Sequence, residues 1–284
     1  MNEHSRKIVI VTGASSGIGQ QTALAFARRG DAVVLAARRA ERLETVAAGC
    51  RAAGAQTLIV PTDVAQRGQV QALADRTIEA FGRIDVLVNN AGYGMFGAAA
   101  DLDEAALRRI FDVNFFGVWY GLAAVAPVMV RQGGGHIFNV SSVIGKRGTP
   151  LHGGYCATKF AVSGLTESAR VELRPHRVWV TLVCPALTAT AFFDADTMTG
   201  RSGRMRRHGY YRFQTPQSVA AAIVRTAGRY RPQLVLTGGG KLLALLAAIA
   251  PGLTDRMMER YRRDLVEAMG EDRTAEAGRR GPDE

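Results

Sequence analysis

The chain has 284 residues, of which 47% are hydrophobic and 21% charged, a composition that fits a globular protein with a sizeable core and excludes a disordered or fibrous one. Its three cysteines, Cys50, Cys156 and Cys184, form no CxxC pair, which argues against a disulfide framework or a zinc site and indicates a reducing, cytoplasmic compartment. The formal net charge of +11 has its whole excess in residues 201–263, where 13 Lys and Arg stand against two acids, so it indicates a local surface patch rather than a nucleic-acid-binding protein.

No targeting or membrane-spanning segment is predicted. Residues 1–7 are polar and lead directly into a strand-like run, unlike a signal peptide. The longest strongly apolar stretch, residues 242–250, has nine residues, whereas a spanning helix needs roughly 20.

Strand-like and helix-like segments alternate along the chain. The early strands are nearly uniform in Val, Ile, Leu and Ala, as in a parallel sheet that is buried on both faces. The alternation indicates an α/β fold with a doubly wound parallel sheet and with ligands at the carboxyl ends of the strands. Strands are predicted at 8–11, 32–36, 56–60, 84–88, 136–140, 179–183 and 234–236, and helices at 17–29, 40–53, 66–81, 104–131 and 154–173.

We predict one domain over residues 1–238, a basic amphipathic helical extension over 239–269 and a disordered tail over 270–284. In the extension Leu253, Met257, Tyr261 and Leu265 recur every four residues among arginines, the pattern of an amphipathic helix. Such a helix either lies on a membrane surface, which would make the protein peripheral to a membrane, or packs as a lid on its own domain or on a partner subunit.

The first predicted strand leads into a glycine-rich turn, TGASSGIG, and then into a helix. Glycines at 13, 17 and 19 allow backbone amides to approach a pyrophosphate at the positive end of that helix. The GxxxGxG spacing differs from the commoner GxGxxG, and a plain turn is the alternative. The place of the turn between the first strand and the first helix favours a dinucleotide site.

The second predicted strand ends with two arginines, Arg38 and Arg39, where an NAD site places an acid against the adenosine ribose. A carboxylate there would repel a 2′-phosphate, whereas a guanidinium binds it with two hydrogen bonds. We therefore predict NADP(H) rather than NAD(H), with Arg38 as the favoured contact. The alternative is that both arginines are the exposed start of the next helix.

A tyrosine and a lysine stand one helical turn apart in the fifth predicted helix, at Tyr155 and Lys159. An adjacent ammonium favours the phenolate and is expected to lower the pKa of the tyrosine from about 10 toward the working range of an acid or base. Ser142 follows the fifth strand, 13 residues before Tyr155, where its hydroxyl can donate to a substrate oxygen. Ser141 is the rival for this role, but alternation along the strand places it on the opposite side.

Three motifs together resemble the short-chain dehydrogenase/reductase family: the segment from Thr12 to Gly19, Asn89-Asn90-Ala91-Gly92, and Tyr155-Cys156-Ala157-Thr158-Lys159. The resemblance extends from Lys7 to about Leu236. It implies a single Rossmann-type domain with a seven-stranded sheet, a homo-oligomer, and hydride transfer between a nicotinamide cofactor and a small carbonyl or alcohol substrate. Ala186 departs from the family's usual Pro-Gly, which affects the loop over the nicotinamide.

The resemblance also implies roles for single residues. Asp63 would contact the adenine, Asn90 and Gly92 would line the cofactor cleft, and Thr190 would contact the carboxamide. Asn114, within a predicted helix, would hold a water that relays protons to Lys159. The predicted catalytic set is Asn114, Ser142, Tyr155 and Lys159, and the predicted cofactor contacts are Gly13, Ser15, Ser16, Gly17, Ile18, Gly19, Arg38, Asp63, Val64, Asn90, Ala91, Gly92, Tyr155, Lys159, Pro185, Thr188 and Thr190.

Apolar and aromatic residues in 93–97, in 143–154 and from Phe192 onward suggest a wall for an apolar substrate. The wall would hold Tyr93, Met95, Phe96, Leu151, Phe192 and Phe193; the alternative is that these side chains close the core beneath a loop. His152 is assigned to the rim of this pocket and not to catalysis.

The function predicted from the sequence is an NADP(H)-dependent oxidoreductase that acts on a ketone, an aldehyde or a secondary alcohol, with Tyr155 as the acid or base. A 3-oxoacyl thioester reductase is a close variant, because a basic patch can meet a phosphorylated carrier. A non-catalytic nucleotide sensor on the same fold is the alternative from another class. No metal is predicted, and no nucleic-acid partner is expected, because no recognition motif accompanies the arginines.

Overall fold

The computed structural model of the chain describes residues 6–188 and 214–277. A seven-stranded, wholly parallel sheet has the order β3-β2-β1-β4-β5-β6-β7. The predicted strand bounds differ from the observed ones by at most two residues. The strands are β1 Ile8–Thr12, β2 Ala32–Ala37, β3 Thr57–Pro61, β4 Val86–Asn89, β5 Gly135–Val140, β6 Val178–Cys184 and β7 Gln233–Val235.

Helices cover both faces of the sheet, and their bounds are α1 Gly17–Arg28, α2 Ala40–Ala52, α3 Arg67–Phe81, α4 Glu104–Phe111, α5 Gly117–Arg131, α6 Gly153–Leu173, α7 Pro216–Thr226, α8 Gly238–Ile249 and α9 Pro251–Ala277. Helices α1, α2 and α7 pack on one face through Phe26, Leu43 and Ile223. Helices α3 and α5 pack on the other face, through Leu73 and Met129. Apolar side chains on both faces explain why the strands lack alternation. The predicted doubly wound sheet is confirmed.

Helix α7 has no counterpart among the predicted helices, although its start carries a recognisable signal. The side chain of Thr215 accepts a hydrogen bond from the Ser218 N–H, and Pro216 occupies the first turn. Ser or Thr before a proline is a common helix start, since proline lacks the N–H that would otherwise need a partner there. Val219 and Ile223 then fill the core beside α1.

The predicted helix 104–131 is not one continuous α-helix. A single π-helical turn, Asp112–Phe116, separates α4 from α5. Among the described residues this stretch, Glu104–Arg131, is long and apolar enough to cross a membrane by length and composition, but half of its most apolar window is buried in the domain. Such partial burial is typical of a core helix.

The extension forms a helical hairpin, α8 and α9, that packs on the domain. The side of α9 that faces the domain carries Thr254, Met258 and Tyr261 and the buried Leu265, whereas Leu253 and Met257 are exposed. A spacing of four advances about 40° per step around a helix of 3.6 residues per turn. The predicted apolar stripe therefore winds from the solvent side at Leu253 to the buried side at Leu265.

The predicted disordered tail does not begin at residue 270, because α9 continues to Ala277. Residues 278–284 lie outside the described part of the chain.

Candidate active site

The turn after β1 is shaped by glycines for close backbone packing. Gly13 has a φ of +64°, and a side chain on Gly19 would place its Cβ 2.2 Å from the Gly13 carbonyl oxygen. In the described structure the side chain of Ser16, at the N-cap of α1, makes no capping hydrogen bond, and no acid lies in the first turn. The N–H groups at this end of α1 suit a phosphate group.

The ends of β1 and β4 are joined by polar side chains where the strand order reverses. Asn90 donates from Nδ2 to the carbonyl oxygens of Thr12 at 2.9 Å and of Gly13 at 3.3 Å. Thr12 Oγ1 accepts from the Asn90 N–H at 2.9 Å and from the Ala91 N–H at 3.1 Å. Open α/β sheets bind ligands at such a switch point, outside the carboxyl ends of the strands. Asn90 thus holds the glycine turn in shape.

A cavity of about 1370 Å³ opens at this edge of the sheet. Pockets for one drug-sized ligand are typically about 300–1,000 Å³, so this one has room for a dinucleotide together with a small substrate. It is lined by the following predicted site residues: Gly13, Ser15, Ser16, Gly17, Ile18, Arg38, Asp63, Val64, Asn90, Ala91, Gly92, Ser142, Tyr155, Lys159, Pro185 and Thr188.

Two predicted site residues do not line the cavity, and a third lies outside the described residues. Gly19 lies beneath the turn. It lets α1 approach Gly13, because it has no Cβ that would clash with the Gly13 carbonyl oxygen. Asn114 is fully buried behind Gly92. Thr190 falls outside the described residues, as do Phe192 and Phe193.

Arginines surround the end of the cavity nearest β2 and β3. Arg38, Arg39 and Arg42 line it, together with Arg109, whose Nη2 lies 3.0 Å from Asp63 Oδ2. Burial works against ionisation of Asp63, but a hydrogen bond from the Ala65 N–H, the bond from Arg109 and the charges of Arg109 and Arg38 hold its pKa below the ordinary value. Sequence reasoning missed Arg109, because only the packing of α4 against the loop after β3 brings it to the cavity.

Tyr155 and Lys159 face the cavity from the first turns of α6, and Ser142 meets them from the end of β5. Tyr155 is 8% exposed and hydrogen-bonds with Ser142. Lys159 is 3% exposed; its Nζ lies 5.6 Å from the Tyr155 ring centroid and donates to the Val140 carbonyl oxygen at 2.9 Å. The hydroxyl of Ser142, the phenol of Tyr155 and the ammonium of Lys159 therefore lie together at one end of the cavity.

The predicted lowering of the Tyr155 pKa is wrong. Burial raises the pKa of Tyr155 well above its usual value, and the hydrogen bond with Ser142 opposes this only in part. Burial also lowers the pKa of Lys159 to about 8. The Lys159 ammonium donates to the Val140 carbonyl oxygen. The neutral phenol is thus favoured over the tyrosinate.

The two serines at the end of β5 point to opposite sides, as the alternation of a strand predicts. Ser141 Oγ donates to the Lys159 carbonyl oxygen at 2.9 Å and contacts Ser163 Oγ at 3.2 Å, both within the protein. Ser142 Oγ accepts from the Ile144 N–H at 3.3 Å and faces Tyr155.

Asn114 lies in the π-helical turn and fixes the backbone beside Lys159. Its Oδ1 accepts from the Tyr93 N–H at 3.0 Å, and its Nδ2 donates to the Tyr93 carbonyl at 2.9 Å and to Thr158 Oγ1 at 3.2 Å. A Cβ on Gly92 would lie 2.9 Å from Asn114 Oδ1 and 3.6 Å from Lys159 Nζ. π-helical turns are frequent at functional sites, and here the turn carries a predicted catalytic residue.

The far wall of the cavity differs from the predicted apolar wall. Tyr93 lines it, but Met95 packs into a small core cluster with Ile110 and Tyr155, and Phe96 packs edge-on against His152. For Met95 the core alternative is the correct one. The C-terminal hairpin supplies Leu243, Met258 and Tyr261 to the wall instead, so it packs on its own domain beside the cavity.

The residues fit a nicotinamide dinucleotide: a glycine turn too tight for a Cβ, an uncapped helix end, and arginines where the adenosine would lie. Comparison with known proteins agrees. A protein-family model described as short chain dehydrogenase matches residues 7–199. The uncharacterized oxidoreductase YxnA of Bacillus subtilis is 37% identical over 259 residues, which cover 89% of this chain and 72% of that protein.

Solved structures give the same result. A short chain dehydrogenase/reductase from Burkholderia phymatum in complex with NAD is 32% identical, with a TM-score of 0.82 over 89% of this chain and 97% of that chain. An alcohol dehydrogenase from Thermococcus sibiricus complexed with 5-hydroxy-NADP is 29% identical, with a TM-score of 0.71 over 81% of this chain and 95% of that chain. The chain therefore belongs to the short-chain dehydrogenase/reductase family and is an oxidoreductase acting on the CH–OH group of its donors.

Proposed function

We propose that the chain reduces a ketone or an aldehyde with NADPH, and oxidises the corresponding alcohol in reverse, with Tyr155 as the acid or base. The observation that carries this proposal is the convergence of Tyr155, Ser142 and Lys159 at the end of the cavity that is shaped for a dinucleotide. A nucleotide sensor without catalysis would not need these groups to meet.

A nicotinamide cofactor in this cavity would supply the hydride for reduction and would accept it in oxidation. Tyr155 donates its phenolic proton to the substrate oxygen, for which a raised pKa is no obstacle because the neutral phenol is the reactive form. Ser142 donates a hydrogen bond to the same oxygen and stabilises the charge that develops on it. Lys159, with a pKa of about 8, supplies a positive charge beside the phenol as its proton leaves. Lys159 then passes a proton to the tyrosinate and is reprotonated by a water that Asn114 positions.

The preference for NADP(H) is part of the proposal and is supported by charge. Arg38, Arg39, Arg42 and Arg109 border the cavity at the end of β2. The nearby acid, Asp63, is already paired with Arg109 at 3.0 Å. A 2′-phosphate would find several cations and no free carboxylate among the described residues that line this end.

The test of the reaction is the loss of NADPH absorbance with a panel of ketones and aldehydes. Turnover of one or more of them by the wild-type protein, and its loss in a Tyr155→Phe variant, supports the proposal. No turnover of any carbonyl by the wild-type protein would overturn it.

We also propose that the chain forms a homo-oligomer through α5 and α6. Phe116 and Trp119, in the π-helical turn and α5, and Phe160 in α6 are each more than a third exposed. Large exposed aromatic side chains on adjoining elements are typical of a protein interface. Light scattering should give a multiple of the 30.4 kDa chain mass, and Phe160→Glu should lower it. A wild-type mass of one chain contradicts this proposal.

The outer face of the C-terminal hairpin is proposed to contact an anionic membrane surface. Leu242, Leu245, Ile249, Leu253 and Met257 are 45–68% exposed there. The exposed bases Lys241, Arg256 and Arg260 accompany them. If a second copy of the chain packed on this face, its basic side chains would lie against the same basic side chains of the first copy. Anionic lipids carry the opposite charge and would attract them.

Flotation with phosphatidylglycerol vesicles tests this contact. The wild-type protein should float with these vesicles and much less with phosphatidylcholine vesicles. The double variant Leu245→Glu/Ile249→Glu should reduce the floated fraction on the order of tenfold, since each side chain loses the free energy of apolar burial and gains a repelled charge. Val171→Glu, at a 70% exposed valine of α6, is the matched control. Equal flotation of the double variant and the wild-type protein would end the membrane proposal.

A further inference from the structure

The backbone before α6 is strained next to a residue of the cavity wall. Leu151 has a φ of +62°, a left-handed conformation that a branched side chain rarely adopts. Its carbonyl oxygen accepts from the Gly97 N–H at 2.8 Å, and His152 forms a bridge with Gly97. Strain of this kind persists where the surroundings impose it, and it concentrates at functional sites. The residue that it positions is His152.

The side chain of His152 is held in one orientation but does not cap helix α6. It occupies the N-cap of α6, where Ser, Thr, Asp or Asn would accept a hydrogen bond from the first turn, yet its side chain makes no capping bond. Instead its Nδ1 lies 3.0 Å from the Pro150 carbonyl oxygen, and the Phe96 ring packs edge-on against the imidazole at 5.2 Å.

The contact with Pro150 fixes the tautomer of His152. A carbonyl oxygen can only accept, so Nδ1 must carry the proton, and in the neutral ring Nε2 is then a bare acceptor. The imidazole is neutral near pH 7, because burial lowers its pKa, opposed only by the hydrogen bond to Pro150.

The bare nitrogen is available to a ligand. His152 lines the same cavity as Tyr155, three residues before it, and side chains three apart near a helix start lie on one side with roughly 5–6 Å between their Cβ atoms. Among the described residues, no group hydrogen-bonds with Nε2. Nε2 is also not one of the polar atoms that are buried without a partner, so it is accessible. It is therefore open to the cavity beside the proposed proton donor.

We propose that His152 determines substrate specificity: its Nε2 accepts a hydrogen bond from a substrate hydroxyl on the carbon next to the reacting carbonyl or on the following one. This inference rests on the proposed carbonyl reduction and names its substrate class, α- or β-hydroxy carbonyl compounds and the matching diols. A neutral acceptor favours a hydroxyl at that place and disfavours a carboxylate or a phosphate, whose oxygens it would repel.

Matched pairs of ketones test the proposal. We would measure kcat/KM with NADPH for 2-hydroxyacetophenone against acetophenone, and for 1-hydroxy-2-octanone and 4-hydroxy-2-octanone against 2-octanone. The wild-type enzyme should prefer a hydroxylated member, and His152→Phe should lower that preference about tenfold, the contribution of one hydrogen bond. His152→Gln, whose amide oxygen can occupy the place of Nε2, should keep part of the preference.

Thr149→Val is the matched control, because Thr149 lines the same cavity and contacts Cys156; this variant should retain the preference. Activity on the plain ketones reports whether each variant is folded. If the wild-type enzyme reduces ketones without preferring the hydroxylated member, or if His152→Phe keeps the preference, the role of His152 is wrong while the proposed reaction stands. If the wild-type enzyme reduces no ketone, the proposed reaction itself fails.

Discussion

Replacing Tyr155 by phenylalanine is expected to lower kcat/KM for carbonyl reduction by about 10³-fold, with the affinity for NADPH changed only a few-fold. A positioned general acid typically contributes about 10²- to 10⁴-fold. The change removes one oxygen, which hydrogen-bonds with Ser142, and leaves the ring packed with Met95 and Ile110. The loss should therefore fall on kcat, because the proton is needed as charge develops on the substrate oxygen.

The measurement is steady-state NADPH oxidation with the best ketone of the panel, together with NADPH affinity by fluorescence titration. Tyr230→Phe is the control: this phenol packs against Trp179 and Arg174, outside the residues that line the cavity, and its loss should leave kcat/KM unchanged. Activity of Tyr155→Phe within threefold of the wild-type value would contradict the mechanism.

The Lys159 ammonium lies beside the Tyr155 ring in the folded chain. Its Nζ lies 5.6 Å from the Tyr155 ring centroid and is tied to the Val140 carbonyl oxygen. Burial of the phenol has the largest effect on the pKa of Tyr155 and raises it. Spacing in the sequence predicts that the two groups are near each other. The sign of the net pKa shift depends on burial, which spacing does not report.

Most of the fold could be predicted from the sequence, because the strands are short, apolar and bounded by polar turns. The β1 run from Ile8 to Thr12 and the glycine turn after it are local signals, and the chain itself places them together. The π-helical turn at Asp112–Phe116 has no such local signal. It is held by hydrogen bonds from Asn114 to the backbone of Tyr93 and to Thr158, distant partners that only the folded chain brings together.

The residues of the site divide in the same way, into those that a local motif predicts and those that only folding brings to the cavity. Gly13, Asn90 and Tyr155 stand in contiguous motifs and were predicted as site residues. Arg109, Leu243 and Met258 reach the cavity only because α4 and the hairpin pack over it. The apolar face of α9 was predicted from a spacing of four, whereas burial follows 254, 258, 261 and 265, the spacing that keeps one face of an α-helix.

The cofactor preference is expected to depend on one exposed arginine. Arg38→Ala should weaken NADPH binding by about tenfold and leave NADH binding within twofold. A charge-assisted hydrogen bond contributes about 1.5–3 kcal/mol, and roughly 1.4 kcal/mol corresponds to tenfold in affinity. The lower end applies here, because Arg38 is exposed to solvent and its interaction with a phosphate is screened.

Arg38 is singled out from its neighbours by its place beside Asp63, whose pKa its charge helps to lower. A phosphate near Arg38 would also lie near Arg109, so the loss in Arg38→Ala is partial. Arg38→Asp should weaken NADPH binding further than Arg38→Ala, since the new carboxylate repels the phosphate, while NADH binding is kept or improved by a hydrogen bond to the ribose.

Arg39→Ala is the matched control, because Arg39 is equally basic, also lines the cavity and adjoins Arg38 in the chain; its NADPH affinity should change less than threefold. Fluorescence titration and the rise in the unfolding midpoint with each cofactor provide two independent readouts, because a ligand stabilises the folded state according to its affinity. Two results would show that the arginines at the end of β2 do not bind the 2′-phosphate. One is tighter binding of NADH than of NADPH by the wild-type protein, and the other is an unchanged NADPH affinity in Arg38→Ala.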